Sequence, residues 1–184
     1  MSCVTEVLFI TGGYGPGGVY LSSTEVLDLT DSTCSRTLGE LPEGRVLHSM
    51  VSLEDGSLVV CGGFGQGGLS HSRSCITTQT PADNNTWVPH SNTTWERYGH
   101  FGVSLGREIH LVGGRTTREV YKNMDWQEVE MPFRIVGDSC GLALNNHEIV
   151  VIGGVFHENK TDVLDTSTGD WREMADVPEG RWYF

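Results

Sequence analysis

The feature that most constrains this chain is a pair of adjacent glycines that follows a short apolar run four times. The glycine pairs begin at Gly12, Gly62, Gly113 and Gly153, so the intervals between them are 50, 51 and 40 residues. Self-similarity at such a period is typical of repeat architectures, in which each unit buries its apolar surface against the next unit. Because each run before a glycine pair is only about four residues long, the pattern predicts short strands rather than helices.

Other positions repeat in step with the glycine pairs. An arginine opens a small-and-apolar strand ahead of three pairs, and the chain stops on a similar opening: Arg45, Arg97, Arg134 and Arg181. Strands with alternating polar and apolar residues follow the pairs at 24–28, 118–121 and 161–165. A tryptophan then marks a fourth strand: Trp87 or Trp95, Trp126 and Trp171. Each unit is therefore predicted to contain four strands.

This succession of an arginine, two strands, a glycine pair, a third strand and a tryptophan strand resembles the kelch repeat over essentially the whole chain. The resemblance implies an all-β fold, a kelch-type β-propeller of four-stranded antiparallel blades, with approximate repeats at 1–44, 45–96, 97–133 and 134–180 and the start of a further strand at 181–184. The first repeat departs from the pattern at 34–38, and in the fourth Asp138 and Cys140 replace a His-Ser region. Since kelch rings usually have about six blades, we expect about four blades of a larger propeller, with a closed four-bladed ring as the alternative.

Charge and hydropathy exclude several classes of partner. The chain has 12 Lys and Arg against 24 Asp and Glu, a net charge of −12. This negative field repels phosphate backbones, so we expect no nucleic acid partner. The apolar run at 7–10 is too short for a membrane span or a signal-peptide core, so no membrane segment is expected.

Motifs for cofactor chemistry are weak. The segments 13–18 and 63–68 both satisfy G-x-G-x-x-G, but the dinucleotide fingerprint requires a helix after the glycines, and strand-like sequence follows both. The seven histidines show no paired metal-ligand spacing, and His48 and His100 occupy one repeat position. We therefore expect no cofactor, no metal and no catalysis.

Cysteines and glycosylation sequons bear on the compartment. Cys61 ends a second strand and Cys75 lies on the next, so a hairpin connection would bring them within disulfide reach; the alternative is two buried thiols. Asn-x-Ser/Thr sequons occur at Asn84, Asn92 and Asn159. Together with a cysteine placement that resembles secreted kelch proteins, these features favour an extracellular parent protein over a cytoplasmic one.

Antiparallel topology predicts where a partner would bind. Successive connections alternate between the two faces of the ring, so the loops after the glycine pairs share a face with the segments that open the next unit. Predicted binding residues from the first loop set, which also contains Tyr20, are Tyr14, Phe64, Arg115, Phe156 and His157. Those from the second are Arg45, Arg97, Arg134 and Arg181. These arginines could bind carboxylates, as related kelch proteins bind acidic peptide motifs, or could instead tie one blade to the next.

The leading functional prediction is a scaffold that binds a protein or peptide partner through propeller-face loops. Two alternatives stay open. The first is a copper-dependent oxidase resembling galactose oxidase, which needs a Tyr-Cys cross-link and Tyr and His copper ligands; the available tyrosines are Tyr14, Tyr20, Tyr98, Tyr121 and Tyr183. The second is a structural repeat fragment with no specific ligand.

Overall fold

The computed structural model describes residues 7–30, 34–35, 38–65, 71–78, 86–131, 137–155 and 157–182. Over these residues the chain forms five antiparallel sheets and one short helical turn, Pro16–Gly18. The predicted all-β class is confirmed. No described segment forms a helix with the length and apolar character that crossing a membrane would require.

Four larger sheets follow one another along the chain, and their strands pair in sequence order. Sheet 1 contains β1 (Val7–Thr11), β2 (Thr24–Asp28) and β3 (Cys34–Ser35). A separate two-stranded sheet pairs β4 (Arg45–Val46) with β7 (Phe64–Gly65). Sheet 2 contains β5 (Ser49–Ser52), β6 (Leu58–Cys61), β8 (Cys75–Thr78) and β9 (Trp87–Pro89). Sheet 3 contains β10 (His100–Leu105), β11 (Glu108–Gly113), β12 (Thr117–Lys122) and β13 (Asp125–Glu130). Sheet 4 contains β14 (Cys140–Ala143), β15 (Glu148–Ile152), β16 (Thr161–Asp165) and β17 (Trp171–Glu173).

The apolar core lies between successive sheets. One cluster joins Phe9 of sheet 1 to Leu58 and Val60 of sheet 2. The next two clusters repeat this arrangement between sheets 2 and 3 and between sheets 3 and 4. Because side chains alternate along a strand, each sheet presents one face to the sheet before it and the opposite face to the sheet after it. The strands that precede the glycine pairs of sheets 2 and 3 are therefore buried on both faces.

The glycine pairs are required where the segment opening the next unit crosses the end of a sheet. Gly12 and Gly62 have φ of +59° and +69°, a region that glycine adopts without steric cost. A Cβ on Gly62 would lie 2.7 Å from Cε1 of His100 and closer still to the carbonyl of Arg97. A Cβ on Gly12 would lie 2.8 Å from Cε1 of His48. The repeated histidines thus pack directly on the glycine pair of the preceding sheet.

Main-chain hydrogen bonds repeat at three of these junctions. The second glycine of a pair donates its N–H to the carbonyl of the arginine that opens the next unit, over 2.9 Å from Gly13 to Arg45 and 2.8 Å from Gly63 to Arg97. Gly154 makes the same bond to Arg181, over 3.0 Å. These bonds join main-chain groups only, so they do not depend on the side chains of the residues around the junction.

A second set of hydrogen bonds joins the first strands of neighbouring sheets. Leu47, Gly99 and Asp138 occupy equivalent positions and all have positive φ, of 55°, 59° and 56°. Gly99 donates its N–H to the carbonyl of Leu47 over 3.0 Å, and Asp138 donates to the carbonyl of Gly99 over 2.6 Å. Strand β10 accordingly contacts both β5 and β14.

Candidate binding surface

The loops after the glycine pairs and the segments that open the next unit lie side by side. Arg45 and Val46 pair with Gly65 and Phe64, and Arg97 donates its N–H to the carbonyl of Ser72 over 3.2 Å. We call the surface that these loops share the loop face. Its exposed or half-buried side chains are Tyr14, Tyr20, Phe64, His71, Trp95, Tyr98 and Arg115.

Three rings form a cluster on the loop face. The centroid of Phe64 lies 4.7 Å from those of His71 and Tyr98, and the rings of His71 and Tyr98 stack at 4.5 Å with an interplanar angle of 8°. Tyr98 is 38% exposed and the His71 side chain 43% exposed. The cluster therefore joins rings from two separate loops, Phe64 and His71 from one and Tyr98 from the other, and their partly exposed faces carry polar groups at the edge.

Charged groups surround this cluster. The Glu96 carboxylate lies 3.8 Å from Nδ1 of His71. The guanidinium of Arg115 lies 5.1 Å from the centroid of the Trp95 ring and donates to the carbonyl of Glu96 over 3.4 Å. Trp95 in turn donates its indole N–H to Glu128 over 3.0 Å, and hydrogen bonds from Thr117 and Trp95 lower the pKa of that carboxyl. An apolar centre with a charged rim has the composition of a protein-binding surface.

A second aromatic pair occupies the equivalent loop of sheet 1. Tyr14 and Tyr20 are bridged across the loop as Phe64 and His71 are, and their rings meet edge to face at 5.3 Å. Tyr14 is 63% exposed. A hydrogen bond with the Tyr14 side chain raises the pKa of the Tyr20 hydroxyl. The two loops thus present aromatic pairs from equivalent positions.

Two of the predicted binding arginines are buried. Arg97 is 0% exposed; it donates to the carbonyls of Gly113 and Thr117 over 2.5 and 2.7 Å and to the Glu119 carboxylate over 3.2 and 3.3 Å. Arg45, 2% exposed, donates to the carbonyl of Gly62 over 3.2 Å. Burial lowers the pKa of both guanidinium groups. The guanidinium of each arginine donates to the carbonyl of the first glycine of a pair, in the sheet that follows the arginine in the chain. The main-chain carbonyl of the same arginine accepts a hydrogen bond from the glycine pair of the preceding sheet. Both arginines thus join two successive sheets, and neither guanidinium is available on the loop face.

The other predicted site residues lie apart from the aromatic cluster or outside the described residues. Arg181 is exposed and donates its N–H to the carbonyl of Glu158 over 2.7 Å. His157 lines a cavity of about 250 Å³ with Lys160 and Trp171. Three predicted residues lie outside the described residues: Arg134, Phe156 and Asn84. Asn92 and Asn159 are exposed.

The strand register corrects one part of the repeat alignment. Ser49, Phe101 and Cys140 each pair with the residue that precedes a glycine pair. Arg45 and Arg97 lie four positions before their strand residue, whereas Arg134 lies six positions before Cys140. The fourth unit therefore has two more residues between its arginine and its first strand than the second and third units have.

The predicted disulfide is confirmed. Cys61 and Cys75 are register partners in adjacent antiparallel strands, with their Cα atoms 4.2 Å apart, and their sulfurs are bonded. The strands that carry the two cysteines are therefore neighbours in one sheet, as a disulfide between them requires. Both cysteines are 1% exposed and belong to the core between sheets 2 and 3. Since their sulfurs are joined to each other, neither is cross-linked to a tyrosine.

The remaining sequence motifs are the two glycine-rich segments, of which the second lies partly outside the described residues, and the repeated histidines. The first glycine-rich segment forms the turn Pro16–Gly18 and leads into strand β2. Burial, and the charge of Arg45, lower the pKa of His48 to about 4, while its Nε2 lies 2.9 Å from Oγ1 of Thr11. Within the part of the chain that the structure describes, no group of three His, Cys, Asp or Glu residues is placed to hold a metal ion.

A cavity of about 580 Å³ lies on the opposite side from the loop face, where the first hairpins of sheets 2 and 3 turn. It is lined by Leu53, Glu54, Asp55, Gly106 and Arg107. Hydrogen bonds from Ser57 lower the pKa of Asp55, so this carboxylate is held by its own turn. None of the sequence-predicted binding residues lines this cavity.

Comparison with protein-family models finds no match for the chain, and comparison with curated proteins finds no significant relative. The kelch assignment therefore still depends on the repeated residues themselves.

Proposed function

We propose that the chain is a kelch-type β-propeller region that binds a protein or peptide partner through its loop face and catalyses no reaction. The repeating junction supports the propeller: successive sheets pack face to face, and the first strands of sheets 2, 3 and 4 adjoin one another through the bonds at Leu47, Gly99 and Asp138. Radial repetition of small sheets around an axis produces this arrangement.

The observation that carries the binding proposal is the ring cluster of Phe64, His71 and Tyr98. Tyrosine, tryptophan and arginine are enriched among the residues that dominate binding energy. Gly63 donates its N–H to the carbonyl of Arg97 and accepts from the N–H of Ser72, and these bonds hold the backbone next to the three rings in place before a partner binds. With Glu96 and Arg115 at the rim, the surface fits a segment that presents an aromatic or aliphatic side chain flanked by charge.

Selection of displayed random peptides on the purified chain tests this proposal. A recovered peptide should bind the Tyr98→Ala and Phe64→Ala variants at least about 30-fold more weakly, as measured by titration calorimetry. Met124→Ala is the control, because Met124 is 84% exposed in the turn between β12 and β13, away from the loop face. Equal binding by all three variants would show that the loop face is not the binding surface.

The disulfide and the exposed sequons support an extracellular setting for this binding. Disulfides persist in oxidising compartments, and Asn92 is exposed in a surface connection after sheet 2. Expression through a secretory route in a eukaryotic host should yield a glycan at Asn92, detected by mass spectrometry and lost in Asn92→Gln. An unmodified Asn92 in the secreted chain would remove this support.

A further inference from the structure

The two buried arginines each follow an exposed glutamate. Glu43 stands two residues before Arg45, and Glu96 stands directly before Arg97. The arginine side chains are 2% and 0% exposed, whereas the glutamate side chains are 47% and 55% exposed. These two segments therefore present carboxylates to a partner, which is the opposite of the charge that their arginines alone predict.

Both carboxylates lie beside the ring cluster. The Glu96 carboxylate is 3.8 Å from Nδ1 of His71. The Glu43 carboxylate packs on Gly65, the residue after Phe64, since a Cβ on that glycine would lie 3.0 Å from Oε2 of Glu43. The cluster belongs to the junction of sheets 2 and 3, each of which packs on another sheet at either side. A partly exposed aromatic surface thus has a carboxylate beside two of its three rings.

The exposed arginine next to this surface is already stacked on another ring. Arg115 lies over Trp95 and donates to the main-chain carbonyl of Glu96. Arg73 is also exposed, two residues before β8, but among the described residues no Lys or Arg lies over a ring of the cluster. The contact of Arg115 also shows how a cation binds at this face, because the indole beneath it donates to the Glu128 carboxylate over 3.0 Å.

We propose that the partner of the ring cluster is a basic segment, whose lysine or arginine side chains cross the faces of Phe64 and Tyr98 and reach the carboxylates of Glu96 and Glu43. Long basic side chains bury their methylene stems on apolar surface while the charged end stays beside an acceptor. Their cationic ends also bind the faces of aromatic rings. The net charge of −12 attracts such a segment and repels an acidic one. This preference rests on the binding function proposed for the loop face and adds the charge of the partner.

Two displayed peptide libraries of equal length test the charge of the partner. In one library a tryptophan is flanked by lysine and arginine, and in the other it is flanked by aspartate and glutamate. The purified chain should enrich the basic library only. The dissociation constant of an enriched peptide, measured by titration calorimetry, should rise about fivefold or more between about 50 and 300 mM salt.

Variants of the carboxylates show where the peptide binds. Glu96→Gln should weaken its binding about threefold, and adding Glu43→Gln should bring the loss to about tenfold. Glu96→Lys should bind peptides from the acidic library instead, a gain that misfolding would not produce. Glu54→Gln is the control, because it removes an equal charge from the cavity on the opposite side and should bind as the wild type does. Arg115→Gln should bind the basic peptide no more weakly than the wild type.

The outcomes distinguish the charge of the partner from the binding function itself. Enrichment of the acidic library, alone or equally with the basic one, would overturn the basic partner and leave the loop face as a binding surface. So would equal losses in Glu54→Gln and Glu96→Gln, because the net charge of the molecule would then be responsible. Recovery of uncharged peptides alone from the random selection would also overturn it. If no library gives a binder, the binding function fails and the basic partner fails with it.

Discussion

Replacing Arg97 by methionine should destabilise the fold strongly. The substitution removes the partner of Glu119, which is 0% exposed, and leaves the carbonyls of Gly113 and Thr117 without their donor. Removing one member of a buried ion pair costs about 3–5 kcal/mol, because the remaining charge is uncompensated. For a chain of this size that corresponds to a fall in Tm of about 6–20 °C. Urea unfolding followed by circular dichroism measures the free energy, and calorimetry the Tm.

Two further variants show whether the lost ion pair is the cause. Adding Glu119→Gln to Arg97→Met removes the uncompensated charge and keeps an oxygen acceptor for the N–H of Thr94, so the double variant should be more stable than Arg97→Met alone. Arg115→Met, at an exposed arginine of the loop face, should cost at most about 1 kcal/mol. A cost below about 1 kcal/mol for Arg97→Met, or no recovery in the double variant, would refute the tying role.

Three other perturbations have expected outcomes. Gly62→Ala should lower the free energy of unfolding in urea more than Gly56→Ala does. Both glycines have positive φ, but only at Gly62 would a Cβ collide with another segment of the chain, at Arg97 and His100. Equal losses would mean that the positive φ alone determines the cost. Removing the Cys61–Cys75 bond by double alanine substitution should cost about 3 kcal/mol, the loop-closure value for about 15 residues. Peptide mapping should show that Cys61 and Cys75 of the unsubstituted chain are alkylated only after reduction. The pKa of His48 is about 4 in the fold and near 6.5 when unfolded, so between pH 6.5 and 4 the unfolded chain binds one more proton and the fold loses stability as the pH falls. From pH 7 to 5 the loss is roughly 2 kcal/mol. In the His48→Gln variant, the free energy of unfolding measured in urea should fall by that much less over the same pH range.

Local patterns made the strands predictable. Strands β6 and β11 finish at or just before their glycine pairs, because a left-handed backbone position ends the pleat and only glycine takes it freely. The disulfide was predictable for the same reason, since Cys61 ends β6 and Cys75 begins β8, the strand that pairs with β6 in sheet 2. Neither prediction needed knowledge of how the sheets pack on each other.

What depends on packing between sheets was not predictable. The sequence could not decide between a surface and a buried role for Arg97, because burial is determined by Gly113, Thr117 and Glu119, which lie on strands formed later in the chain. The contact of His71 with Tyr98 joins two loops, and no local pattern links them. The only available signal was that Tyr98 directly follows a repeat arginine, on the segment predicted to share the loop face.

The junction also explains why the residue after each glycine pair differs from unit to unit. The bonds from Gly13, Gly63 and Gly154 use only main-chain groups, so the fold imposes no side chain on the next position. That position holds, in order along the chain, Tyr14, Phe64, Arg115 and Val155. Buried arginine and glycine contacts carry the stability, while these positions face the loop surface at little cost to the fold. Selection for a partner can therefore act on them independently, which is the physical reason to look for binding specificity at Phe64 and Arg115 rather than at Arg45 or Arg97.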